Sequence, residues 1–203
     1  ISRGLVGSEM CIRDRLPSLR VLIKSIRSIE LKQQNSDAIS LKIAVLTISD
    51  TRTIESDSSG GWLCDAIKKQ GHTQVSREIV KDDIYEIRAI ISRWIASPDI
   101  NAIITTGGTG FSGRDSTPEA ILPILDKKID GFGELFRQVS HEEIGTSTIQ
   151  SRVFGGLANN TIVFSLPGST RACETGWNKI ICDQLNSLFE PCNFANIVRS
   201  DKL

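Results

Sequence analysis

From Leu41 onward, short apolar runs rich in β-branched residues alternate with longer stretches whose apolar residues recur at helical spacing. That alternation limits the fold more than any other feature of the chain. The runs LKIAVLTIS (41–49), TQVSREIV (73–80), INAIITT (100–106) and TIVFSLPGS (161–169) read as strands. Between them, SGGWLCDAIKKQG (59–71) reads as a helix that Gly71 closes. In DDIYEIRAIISRWIAS (82–97), Ile84, Ile87, Ile91, Trp94 and Ile95 share one stripe, Asp82 or Asp83 can cap the helix, and Ser97-Pro98 ends it. STPEAILPIL (116–125) opens a helix that Pro123 should shorten or kink. GFGELFRQVSHEEIG (131–145) is another helical piece, and RACETGWNKIICDQLNSLF (171–189) is expected to form one long final helix. Strands alternating with helices predict an α/β sandwich with a mostly parallel central sheet. Ligands of such sheets sit beyond the carboxyl ends of the strands, which directs attention to TISD (47–50), TTGGTG (105–110) and LPGS (166–169).

Residues 1–35 are unlike the rest. They hold seven Lys/Arg against three Asp/Glu, with Leu19, Leu22 or Ile23, Ile26 and Ile29 at helical spacing. A basic amphipathic helix can serve as a targeting segment or surface anchor. The preferred expectation is a disordered or non-native extension, with residues 36–203 forming the domain. Over the whole chain the charge balances at 24 basic and 24 acidic residues, so no nucleic-acid partner is expected. No apolar run is long enough for a membrane helix, and a cytoplasmic setting is expected. Five cysteines without a CxxC pair point to reduced, partly buried thiols. The two histidines, His72 after Gly71 and His141 in a polar helix, are expected at the surface or in capping roles. A histidine-dependent hydrolase is therefore disfavoured.

The stretch TTGGTGFSGRDSTPEA joins the third strand to a helix. Gly107, Gly108 and Gly110 permit a tight turn that exposes backbone N–H groups, which can cradle phosphate oxygens. No Lys occurs between Ile103 and Asp126, so a Walker A loop is excluded. Gly108-Thr109-Gly110-Phe111-Ser112-Gly113 matches GxGxxG, but the helix-start signal comes later, with Thr117 as N-cap, Pro118 in the first turn and Glu119 at the positive end of the dipole. A dinucleotide fingerprint would start its helix inside the motif. Asp115 thus stands between a phosphate-binding turn and a helix. A carboxylate there repels phosphate unless a cation lies between, and Mg²⁺ commonly uses one or two carboxylates plus phosphate oxygens. Asp82 and Asp50 are further acids expected at the same edge of the sheet.

TTGGTGFSGRDSTPEA, GFGELFRQVSHEEIGTSTIQSR and LPGSTRAC resemble the MoaB/MogA family of molybdenum cofactor biosynthesis proteins, most closely its MoaB branch. The likeness covers about residues 40–195. It implies a three-layer α/β/α sandwich and Mg-ATP-dependent adenylylation of molybdopterin with release of pyrophosphate. It also implies a homo-oligomer, hexamer or trimer, working beside other proteins of that pathway. Carried onto this sequence, the resemblance makes Asp115 the Mg²⁺-linked catalytic acid and Asp82 the second important acid. Thr106, Gly107, Gly108, Thr109 and Gly110 become the phosphate and pterin loop, and Ser49 and Asp50 lie near the nucleotide. Pro167, Gly168 and Ser169 form the turn at the pterin end. Ser151, with Arg152, belongs to a substrate-side motif, and Glu134 is an additional site acid.

Such a reaction needs no histidine. The nucleophile is a phosphate oxygen already ionised at neutral pH, so screening of two anions and in-line positioning are what the protein must supply. The alternative expectation is a catalytically inactive molybdopterin-binding or scaffold protein of the same pathway.

Overall fold

The computed structural model describes residues 38–198, and the basic segment 1–35 lies outside them. Six strands form one sheet in the order β2-β1-β3-β6-β5-β4. They are β1 (Lys42–Ile48), β2 (Thr73–Val80), β3 (Ala102–Thr106), β4 (Lys127–Lys128), β5 (Phe154–Ala158) and β6 (Thr161–Leu166). The pairs β1–β2, β1–β3 and β3–β6 are parallel, whereas β5–β6 and β4–β5 are antiparallel.

Successive residues of β1 face opposite sides of the sheet, and each side has its own core. Ile43 and Val45 pack with Leu63 and Ile67 of α1 (Ser58–Lys69), and with Phe136 of α4 (Asp130–Ile144). Ala44, Leu46 and Ile48 pack with Ile87, Ile91 and Trp94 of α2 (Ile84–Ala96). Both faces are covered, which explains why the central strands read as unbroken apolar runs. Ile67, Ile87 and Ile91 are wholly buried, each contributing on the order of 1.5–3 kcal/mol.

Several local expectations hold for identifiable reasons. Gly71 has φ +88°, and the N–H groups of Gly71 and His72 return to the carbonyls of Lys68 and Ile67, closing α1. Asp83 caps α2, accepting from the N–H groups of Tyr85 and Glu86, which leaves Asp82 free for other partners. Pro123 ends α3 (Thr117–Ile121) in a short 3-10 turn, Leu122–Ile124.

Other expectations are corrected. β4 and β5 were not foreseen, because Gly155 and Gly156 dilute the strand pattern. Asn159 and Asn160 have φ of 46° and 56° and form the two-residue turn of the β5–β6 hairpin. The final helix is broken: α5 (Thr170–Gly176) passes through a π segment, Trp177–Ile181, into α6 (Cys182–Gln184), and stops well before Phe189. Gly176 lies against β6, where a Cβ would come within 2.5 Å of Leu166 Cδ2. His72 is not a surface residue. It is 8% exposed, and its Nδ1 accepts the Leu41 N–H at 3.2 Å.

Candidate functional site

In register, Thr47 of β1 sits beside Thr106 of β3, and Thr106 sits beside Leu166 of β6. Three parallel strands therefore release their loops side by side at one edge. There a cleft of about 500 Å³ opens. Ser49, Asp50, Asp82, Thr106, Gly107, Gly108, Thr109, Gly110, Asp115, Ser151, Pro167, Gly168 and Ser169 all line it. Glu134 does not. It lines a separate, smaller recess with Lys128, Asp130 and Arg137, because the face of α4 that carries it points away from the strand ends.

The glycine loop is tightly boxed. At Gly107, φ +108°, a Cβ would lie 2.2 Å from the Ile48 carbonyl oxygen. At Gly108, φ +62°, it would lie 2.3 Å from Thr117 Oγ1 and 2.6 Å from Asp82 Oδ2. No side chain larger than hydrogen fits either position. The Gly107 N–H is spent on the Leu166 carbonyl at 3.0 Å. The N–H groups of Gly108, Thr109 and Gly110 have no acceptor among the described residues and remain available to an anion.

The expected cap of α3 is displaced by one residue. Ser116, not Thr117, occupies the cap position, and neither hydroxyl caps the helix. Ser116 donates its N–H (2.9 Å) and its hydroxyl (2.6 Å) to Asp82 Oδ1. Thr117 donates to the Gly107 carbonyl at 2.9 Å. These hydroxyls tie the helix to the glycine loop and to Asp82, and burial of Thr117 makes that tie the better use of them. Asp115 Oδ2 accepts the Ser112 N–H at 2.7 Å, which folds the acid back onto its own loop at the cleft wall. Asp50 accepts the Asp82 N–H through Oδ1 and pairs with Arg114 through Oδ2, at 3.3 and 2.6 Å.

The structure adds residues that sequence reasoning did not single out. Arg52 enters from the β1–α1 connection, Ser59 from the first turn of α1, and Thr148 and Gln150 from the 3-10 turn Gly145–Gln150. Behind Arg52 lies Asp57, 3% exposed, which accepts from the Thr47 hydroxyl, the Gly60 N–H and Arg77 Nη2 at 2.8, 2.9 and 3.0 Å. Burial alone would raise the Asp57 pKa, but the Gly60 N–H, the Thr47 hydroxyl and the Arg77 guanidinium together hold it below its ordinary value. Arg52 follows TISD by two positions, and that proximity was the one available sequence signal for it. On the opposite wall, the Ser151 hydroxyl is buried and has no partner among the described residues. Beneath the loop, burial pushes the Cys173 thiol up to about 11, so it remains a neutral core group beside Thr106.

A profile described as a probable molybdopterin binding domain matches residues 44–187. The chain is also 49% identical over 164 residues to molybdenum cofactor biosynthesis protein B of Escherichia coli K12, covering 81% of this chain and 96% of that protein.

The chain belongs to the MoaB/MogA family of molybdenum cofactor biosynthesis proteins.

The Bacillus cereus protein of the same name is 44% identical over 160 residues, covering 78% of this chain and 94% of that protein. A crystal structure of a molybdenum cofactor biosynthesis protein B superposes with TM-score 0.74 at 40% identity, covering 80% of this chain and 96% of the other. That of the tungsten cofactor synthesizing protein MoaB from Pyrococcus furiosus superposes with TM-score 0.63 at 36% identity, covering 70% and 90%. The matched domain contains every residue that lines the cleft, from Thr47 to Ala172.

Proposed function

We propose that the protein acts in molybdenum cofactor biosynthesis, where it adenylylates molybdopterin at the expense of Mg-ATP. A terminal phosphate oxygen of molybdopterin attacks the α-phosphorus of ATP, the bond to the β-phosphate oxygen breaks, and pyrophosphate departs. The observation that carries this reading is one cleft holding Asp50, Asp82 and Asp115 together with the unpaired N–H groups of Gly108, Thr109 and Gly110. Acids beside anion-binding amides suit two phosphates and a divalent cation better than they suit either alone.

The carboxylate oxygens of Asp115 and Asp82 are suitable hard donors for Mg²⁺. Among the described residues no group of three acidic, His or Cys side chains converges tightly enough to hold a metal alone. That arrangement fits an ion that arrives with nucleotide phosphates and screens their charge. The chain's own part is positional. Amides at Gly108–Gly110 orient phosphate oxygens, Arg52 and Arg114 add positive charge at the cleft wall, and the Ser151 hydroxyl offers a bond on the far side.

Incubation with molybdopterin and Mg-ATP is expected to yield adenylyl-molybdopterin and pyrophosphate. Asp115→Asn keeps an oxygen for the Ser112 N–H yet removes the charge, so turnover should fall by about 10²-fold or more with the fold intact. Molybdopterin binding by calorimetry without any ATP turnover would favour the alternative, a non-catalytic binding or scaffold protein. One observation speaks for that alternative: Asp82 Oδ1 and Asp115 Oδ2 are already engaged by protein donors. On the same reading the chain works in the cytoplasm as a homo-oligomer, hexamer or trimer. Exposed Leu135, Ile144 and Ile149 support that assembly, which analytical ultracentrifugation would measure.

A further inference from the structure

Arg152 follows the 3-10 turn whose residues Thr148 and Gln150 form one wall of the cleft. The loop bearing Asp115 forms the facing wall. Every resource of Arg152 is directed at that loop and the helix behind it. Its backbone N–H donates to the Thr109 carbonyl at 2.9 Å. Nε donates to the Gly110 carbonyl at 2.7 Å and Nη2 to the Asp115 carbonyl at 2.9 Å. Nη1 pairs with the Glu119 carboxylate at the start of α3, and the guanidinium lies over the Phe111 ring, 5.2 Å from its centroid. Beyond these bonds the loop is tied by the Arg114–Asp50 ion pair and, at its end, by Ser116 to Asp82, while Phe111, Ser112, Gly113 and Arg114 are all exposed. Within the loop, the Asp115 carboxylate and N–H bond only Ser112.

We propose that Arg152 is a positioning residue, a clasp that fastens the Asp115 loop to the facing wall and so fixes where the Asp115 carboxylate is presented. This differs from the substrate-side role expected for it from sequence. The planar guanidinium suits the task, since its rigid fork spans two carbonyls and a carboxylate at once, which a lysine ammonium cannot. The clasp itself stands on geometry. Its consequence for catalysis rests on the adenylylation reading.

Hydrogen exchange of the full chain separates the two. In Arg152→Met, the bonded amides of Ser112, Arg114, Asp115 and Ser116 should exchange about tenfold faster or more, with β1 and β3 unchanged and Arg152→Lys in between. Unchanged exchange at those four amides, or acceleration spread equally over β1 and β3, would overturn the clasp. Should the Met variant not fold, the Lys variant decides on the same criterion. Where the wild type turns over, Arg152→Met should lower kcat by about tenfold to a hundredfold and raise the half-saturating Mg²⁺ concentration, leaving the molybdopterin Kd within about twofold. A weakened molybdopterin Kd with an unaltered loop would assign Arg152 to substrate contact and end the proposal. Absence of wild-type turnover would remove the adenylylation reading alone, since the exchange result stands apart from it.

Discussion

Two corners of the same cleft each rest on an arginine, and they are built in opposite ways. At the β1–α1 corner, Arg77 of β2 reaches Asp57, the cap residue of α1, whose side chain is 0% exposed. At the other corner, Arg152 grips carbonyls of an exposed loop. The first corner is part of the core and its loss should be felt by the whole domain. The second is peripheral to the core, and its loss should be felt by the site. The contrast teaches that a similar interaction serves stability or positioning according to how much water it excludes.

The largest test is Asp57→Ala. It removes the α1 cap and leaves the Arg77 guanidinium short of its buried partner, so unfolding free energy by urea titration should drop by about 3 kcal/mol or more. A drop below that of an ordinary surface substitution would erase the distinction between the corners. Next is Gly107→Ala, at the root of the loop. A Cβ at φ +108° facing the Ile48 carbonyl should cost about 2 kcal/mol of stability and displace the amides of Gly108–Gly110, which on the proposed adenylylation reading lowers nucleotide affinity in calorimetry.

Acid should distinguish the corners as well. Asp57 titrates low in the folded chain, so its contribution is present above its unfolded pKa and is lost as pH falls through the folded value. His72 behaves at higher pH. Burial depresses its folded pKa below 6.5, its Nδ1 is committed to accepting the Leu41 N–H, and Nε2 is buried without a partner. The unfolded chain takes up that proton first, so stability should decline as pH falls below about 6.5, and His72→Gln should flatten this slope in denaturation midpoints measured from pH 7 to 5. The smallest effect is expected for Phe111→Ala. The ring is 68% exposed and, among the described residues, stacks only on Arg152, so removing it should cost about 0.5 kcal/mol, visible as modestly faster exchange at the loop tip.

Much of this molecule was legible in its residues because short-range physics fixes those parts. Gly71 could only be a helix end, Asp83 had the right spacing to cap, and Pro123 had to shorten its helix. The β5 strand escaped because two glycines replaced the apolar pattern, although Asn159-Asn160 was a readable hairpin signal. Thr117 was misread as a cap because local preference was outweighed by the buried Gly107 carbonyl that its hydroxyl satisfies. Glu134 was grouped with the other acids by motif, and only the orientation of α4 sets it in a different recess.

By itself, the chain determined an alternating α/β order, the loops at the strand ends and a glycine turn flanked by acids, since periodicity and backbone freedom are properties of neighbouring residues. Tertiary structure alone decided that Asp82 would be held by Ser116, that Asp57 would be buried behind Arg52, and that Arg152 would reach the carbonyls of the Asp115 loop. The Ser116–Asp82 and Arg152–Gly110 pairings join residues 34 and 42 positions apart, and only the sheet's register and the packing on its two faces bring them within bonding distance.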